Sequence, residues 1–145
     1  PLKTAATRAH ATIVKALLDN DSSEVDATDD YGRTALHYTA TVDGPVPDNG
    51  DAVRVLLEAG PDVNAKATRD ECSTPLSMAL NHPIAPIGTI HALLEGGANA
   101  NVRNELDETP LHAACWWSSV TSVELLLRWG ADEKYTDDNG QPPAD

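Results

Sequence analysis

The sequence predicts an all-α solenoid, with pairs of short helices stacked side by side and hairpin-like loops projecting between them. Two observations carry that prediction. A phrase recurs along the chain: Thr34-Ala-Leu-His37, Thr74-Pro-Leu-Ser77 and Thr109-Pro-Leu-His112. Each phrase is followed by a Leu-Leu pair and a small-residue turn: Leu56-Leu57 with Gly60, Leu93-Leu94 with Gly96-Gly97, and Leu126-Leu127 with Gly130. Self-similarity at roughly 33 residues marks units that bury their apolar faces only against their neighbours.

The spacing places the elements. From Thr34 to Thr74 is 40 residues, from Thr74 to Thr109 is 35, and a further 33 lead to Pro142. From the threonine to the second leucine of each pair is 23, 20 and 18 residues, so the extra length falls mostly between the two halves of a repeat. Each half reads as a short helix. The phrase opens the first, with Thr as cap and Pro in the first turn, where its missing N–H costs nothing. Apolar residues at helical spacing, as in Val120, Val123, Leu126 and Leu127, form the second. Gly60, Gly97 and Gly130 supply the positive φ that ends it. Stretches such as Asp26-Ala-Thr-Asp-Asp-Tyr-Gly32 hold turn-forming residues and read as fingers. At the start, Pro1-Leu2-Lys3-Thr4-Ala5-Ala6 aligns with Pro110-Leu111-His112-Ala113-Ala114-Cys115. The division is four helix pairs and a partial fifth repeat: 1–28, 29–68, 69–103, 104–136 and 137–145, one domain that reads as a piece of a longer protein.

Composition narrows the function. No apolar run approaches the roughly 18 residues of a membrane span. The formal net charge is −13 and the 10 Lys and Arg are scattered, which disfavours a phosphate backbone as partner. Phe is absent, so the core must be Leu, Val, Ile and Ala. Cys72 and Cys115 give neither a disulfide framework nor a metal pair, which fits a reducing compartment, the cytoplasm or nucleus.

At this point the chain resembles the ankyrin repeat family. The residues that carry the resemblance are Asp29-Asp-Tyr-Gly-Arg-Thr-Ala-Leu-His37, Val53-Arg-Val-Leu-Leu-Glu-Ala-Gly60, Thr109-Pro-Leu-His-Ala-Ala114 and Val123-Glu-Leu-Leu-Leu-Arg-Trp-Gly-Ala-Asp132. The resemblance spans the whole chain and implies β-hairpin fingers and a concave groove formed by fingers and first helices. It also implies that His37 and His112 tie their turns by hydrogen bonds. Asparagines placed like Asn64, after Leu57-Glu-Ala-Gly-Pro-Asp-Val, can be hydroxylated in such proteins; a turn-capping role for Asn64 is the competing reading.

Departures from the pattern are local. Asp43-Gly-Pro-Val-Pro-Asp-Asn-Gly50 makes a longer loop between two helices, because Pro45 and Pro47 cannot continue one. Pro83 and Pro86 act likewise in the next repeat, whose finger is lengthened through Lys66 to Cys72. Ser77 replaces the recurrent His. Cys72 and Asp107 stand where Gly would ease a turn, and Asp tolerates the left-handed conformation better than Cys.

Nothing in the sequence points to catalysis, a cofactor or a metal. No Gly-rich phosphate loop, metal motif or nucleophile elbow is present. His10 reads as structural, and His82 and His91 lack acidic or Cys companions at metal spacing. Cys115 reads as an inert thiol in a slot between helices, and Cys72 as exposed. The function expected is protein–protein recognition by a monomer, with no nucleic acid and no membrane. Projected onto the groove are Tyr38, Thr41, Met78, Asn81, Ala113 and Trp116 from first helices. The fingers add Asp30, Tyr31, Arg33, Asp70, Glu71, Ser73, Glu105, Leu106 and Glu108. The partner-binding set is Tyr31, Arg33, Tyr38, Met78, Leu106 and Trp116, because aromatic anchors dominate such surfaces. Trp117 and Trp129 read as packing residues. An acidic face of this kind suits a basic peptide with apolar anchors. The alternatives are a spacer within a longer array, or a substrate-recruiting module of a larger enzyme.

Overall fold

Stacking of short helices is what the structure, a computed structural model, shows over residues 1–7, 11–41, 49–69, 73–117 and 119–143. The helices among these are α1 (Leu2–Thr7), α2 (Ala11–Asn20), α3 (Ala35–Ala40), α4 (Gly50–Glu58), α5 (Pro75–Leu80), α6 (Ile87–Glu95), α7 (Pro110–Trp116) and α8 (Val120–Arg128). Each is shorter than the roughly 12–15 residues at which an isolated helix becomes marginally stable, so packing must hold them.

The packing is in two rows. The odd helices run α1 on α3, α3 on α5 and α5 on α7, and the even ones run α2 on α4, α4 on α6 and α6 on α8. Each odd helix also packs on the even helix that follows it. Leu36, Leu56, Leu76, Leu80, Ile90, Leu93, Leu94 and Leu126 are fully buried along the interface. Each such leucine contributes about 1.5–3 kcal/mol relative to exposure.

The start signals act as expected. The Thr34 N–H donates to His37 Nδ1 at 3.0 Å and the Thr109 N–H to His112 Nδ1 at 3.0 Å. In α5 the shorter Ser77 closes the same turn: its Oγ accepts from the Thr74 N–H at 2.8 Å. Helix α6 begins directly after Pro86, as the proline there requires. The second helices end where Gly60, Gly97 and Gly130 take φ of +73°, +93° and +84°.

Among the described residues, fingers alternate with the helix pairs at 21–34, 59–69 with 73–74, 96–109 and 129–143. No described residue lies in a β-strand. The fingers are built instead from side-chain-anchored turns. Asp29 Oδ1 accepts the N–H groups of Tyr31 and Arg33, both at 2.9 Å. Asn104 Oδ1 does the same for Leu106 and Glu108, and Asp137 Oδ1 for Asn139 and Gln141. Adjacent fingers touch through backbone bonds: the Thr68 and Arg69 N–H groups reach the Tyr31 carbonyl at 2.9 and 3.4 Å, and Asp138 N–H the Leu106 carbonyl at 3.1 Å. Gly32 is required at the first of these contacts, since a Cβ there would come within 2.7 Å of Thr68 N. At the third tip Asp107 holds φ +59° without a glycine. His10, the loop holding Pro45 and Pro47, and the second-finger residues Asp70, Glu71 and Cys72 lie outside the described residues.

Candidate functional groove

Helix α7 ends in two adjacent tryptophans that point to different surroundings. Trp117 is half-buried, and its Nε1–H donates to Asn81 Oδ1 at 3.3 Å, fastening it to the preceding repeat. Trp116 is 82% exposed. It shares a groove of about 850 Å³ with Met78, Asn81 and Ala113, which come from α5 and α7 and the residue after α5. The third finger adds Asn104 and Glu108 to the lining, and the fourth adds Asp137, Gln141 and Pro142. The groove continues to Val120, Val123 and Glu124 of α8.

The six residues singled out from the sequence fall in three places on the structure. Met78 and Trp116 line the groove together. Tyr31, Arg33 and Tyr38 gather at the first finger, with the Arg33 guanidinium 5.4 Å from the centre of the Tyr31 ring. The Tyr38 hydroxyl donates to Asp29 Oδ2, so it ties helix to finger. Burial pushes the Asp29 carboxyl up, but hydrogen bonds from Tyr38 and from the Arg33 and Tyr31 amides outweigh it and hold it below its ordinary value. The same bond to Asp29 pushes the Tyr38 phenol up. Leu106 stands apart at the third tip, 44% exposed, as Tyr31 is 50% exposed on the first.

The sequence reading missed Val120, Glu124, Gln141 and Pro142 as groove residues. Carrying the register one finger further would have found the last two, since Pro142 occupies the position of Thr109. Cys115 reads from the sequence as an inert thiol in a slot between helices. The thiol is half-buried and lines the groove, and burial pushes its pKa up. His91 does have an acidic companion: its Nδ1 lies 3.2 Å from Glu95 Oε2, one helical turn on. This is an ordinary i,i+4 helical pair and, with two members, no metal site. Trp129, expected to pack, is 42% exposed and meets the His91 ring edge-on, with centroids 6.3 Å apart.

His37 and His112 bind between repeats as well as within them. Nε2 of His37 lies 3.2 Å from the Ser73 carbonyl, and Nε2 of His112 lies 3.2 Å from the Gln141 carbonyl. Nδ1 accepts and Nε2 donates, which assigns the Nε2–H tautomer to buried His37. Burial lowers its pKa. Asn64 is a second inter-repeat tie: Oδ1 accepts the Asn99 N–H at 2.8 Å, and Nδ2 donates to the Gly97 carbonyl at 3.3 Å. Asn101 repeats the arrangement with Asp132 and Gly130. Among the described residues no group of three or more His, Cys, Asp or Glu is placed to hold a metal ion. Nor is any helix there long and apolar enough to cross a membrane.

Comparison with known proteins agrees with this architecture. A family profile described as ankyrin repeats (3 copies) matches residues 1–67 and 48–137. The chain is 39% identical over 114 residues to ankyrin repeat protein nuc-2 of Neurospora crassa, covering 76% of the chain and 10% of that protein. It is 31% identical over 108 residues to the E3 ubiquitin-protein ligase KEG of Arabidopsis thaliana, covering 74% of the chain and 6% of the ligase. A shorter match, 47% over 58 residues, covers 39% of the chain and 8% of the human 2-5A-dependent ribonuclease. The chain therefore spans a tenth or less of the length of each of these relatives.

Proposed function

The chain belongs to the ankyrin repeat family, and on that premise we propose that it is a non-catalytic module that binds a partner protein through the groove beside α5 and α7. Ankyrin repeats generally serve protein–protein interaction. The observation that carries the reading is Trp116. Trp116 is 82% exposed at the rim of a groove, beside half-buried Met78, and among the described residues nothing covers it. Large aromatic side chains lose little entropy when ordered and anchor interfaces. Under this reading Tyr31 and Arg33 on the first finger, Tyr38 on α3 beside it and Leu106 on the third finger form outlying contacts.

The test is a pulldown with the parent and a Trp116→Ala variant, matched for folding by circular dichroism. A partner held by the parent and lost by the variant supports the groove. A partner held equally by both moves the site elsewhere.

A second reading is a spacer within a longer array, with repeats divided as 1–28, 29–68, 69–103 and 104–136 and a fifth begun at 137. One observation favours it: Leu127 is 42% exposed, whereas Leu94, at the same register in α6, is 1% exposed. Recruitment of a substrate for an enzyme elsewhere in the parent protein is a variant of the binding reading, and the cytoplasm or nucleus suits all of these. Hydroxylation of Asn64 is a separate proposal. Its test is mass spectrometry of the Asn64 peptide from the native source for the gain of one oxygen; an unmodified peptide there rejects it.

A further inference from the structure

We propose that the Trp116 groove takes a basic peptide segment, whose arginine or lysine side chains lie on the exposed indole while its aliphatic groups enter beside Met78. The inference rests on the groove reading above and adds the chemistry of the occupant.

Three carboxylates line the groove, Glu108, Glu124 and Asp137, against one guanidinium, Arg103. That guanidinium is already occupied. It lies 3.5 Å from Asp107 Oδ1, donates to the Thr136 carbonyl at 2.9 Å and sits 5.1 Å from the centre of the Tyr135 ring. Glu124 is exposed and makes no ion pair among the described residues. Among the described residues the Glu108 carboxylate accepts only an amide N–H from the Asn104 side chain, at 2.8 Å. The local potential is therefore negative, and the formal net charge of −13 extends it outward.

The sign of the charge decides between occupants. An acidic or nucleic-acid ligand would meet repulsion. A purely apolar helix would bury the charges of Glu108 and Glu124 with no cation to offset them, which is costly. A basic side chain satisfies both walls at once, since a cation is attracted to the face of an indole and to nearby carboxylates. The apolar stretch from Met78 and Ala113 to Val120 then receives the aliphatic part of the same segment.

Selection of a random displayed-peptide library on the intact chain, with Trp116→Ala as counter-screen, tests this. The expected peptides combine Arg or Lys with Leu, Met or aromatic residues. Their affinity should fall roughly tenfold with Trp116→Ala, about two- to fivefold with Glu124→Gln, and progressively with salt. Since Glu124 is exposed, the Gln variant serves if Trp116→Ala folds poorly. Neutral or acidic peptides that still depend on Trp116 would overturn the basic occupant and leave the groove standing. Peptides indifferent to Trp116→Ala, or no enrichment, would overturn both.

Discussion

The second and third fingers do the same job by different means. In the third, Asn104 Oδ1 takes the amides of Leu106 and Glu108, both at 2.9 Å, and Asn104 Nδ2 reaches Glu108 Oε2 at 2.8 Å. The finger is held from within. In the second, Ala67 stands at the anchoring position: its N–H bonds to the Ser73 carbonyl at 2.9 Å, as Asn104 N–H does to Glu108 at 3.1 Å, but its methyl group can accept nothing. That finger is longer by two residues, and the preceding repeat holds it. Thr68 N–H reaches the Tyr31 carbonyl at 2.9 Å and His37 Nε2 the Ser73 carbonyl at 3.2 Å. Toward the third finger the corresponding clasp is missing, because the Ser77 hydroxyl is used within its own turn, on Thr74. A solenoid finger can thus be secured by its own Asx side chain or by its neighbour's histidine. Loss of one places the demand on the other.

The strongest way to break the comparison is His37→Ala. The side chain is fully buried, and its removal leaves the Thr34 N–H and Ser73 carbonyl short of a partner beside a cavity. The expected loss is about 2–4 kcal/mol, measured by urea unfolding. Amide exchange should rise more in the second finger than in the third. The same residue gives a pH dependence. Burial holds its folded pKa below the ordinary 6.5, so the unfolded chain binds the proton first. Its contribution is complete above that unfolded value and is lost as pH falls from it toward the folded one. Stability of His37→Gln should vary less with pH across this window; an unchanged slope would assign the dependence to other groups.

Asn104→Ala makes the third finger resemble the second, but without a histidine to hold it from outside. It should cost about 1–2 kcal/mol, with faster exchange at Leu106 and Glu108. Wild-type exchange at those amides would mean that the contact of Asp138 with Leu106 is enough to hold the tip.

Ser77→His adds the missing clasp. In register, its Nε2 would face the Glu108 carbonyl, as His37 faces Ser73 and His112 faces Gln141. A gain of about 1 kcal/mol is expected in thermal unfolding. A loss would show that the lengthened second finger has shifted the register between the two repeats.

Much of this fold was legible because repetition makes weak signals agree. The threonine caps, the Pro at the start of α5 and α7 and the glycines at +73°, +93° and +84° all follow from local backbone chemistry. Trp116 and Trp117 were separable by register, since adjacent helical residues face about 100° apart. The groove as a whole was not legible. Its lining joins α5, α7, α8 and two fingers, and which side chains meet there depends on how the repeats stack. The sequence marked the stretch from Asp26 to Gly32 as turn-forming, but not that Asp29 and Asp137 are the side chains that anchor their turns. Which carboxylate takes which amides depends on the turn geometry itself. The lost anchor at Ala67 was visible only as an unremarked departure from Asx.

Asp107→Gly has the smallest expected effect. The wild-type residue holds φ +59° at the third tip, a conformation that costs a non-glycine residue free energy but that Asp tolerates better than most. Glycine removes that cost. It also removes the ion pair with Arg103, at 3.5 Å between half-exposed side chains, which is worth little in water. Glycine further loosens the unfolded chain. The balance should be a gain of about 0.5 kcal/mol or less, read from the shift in the urea midpoint. The same substitution made in Asn104→Ala should help more, because a tip without its anchor depends more on the intrinsic preference of the residue at the turn. Equal effects in the two backgrounds would show that the anchor and the tip act independently, and that holding a finger from within rests on Asn104 alone.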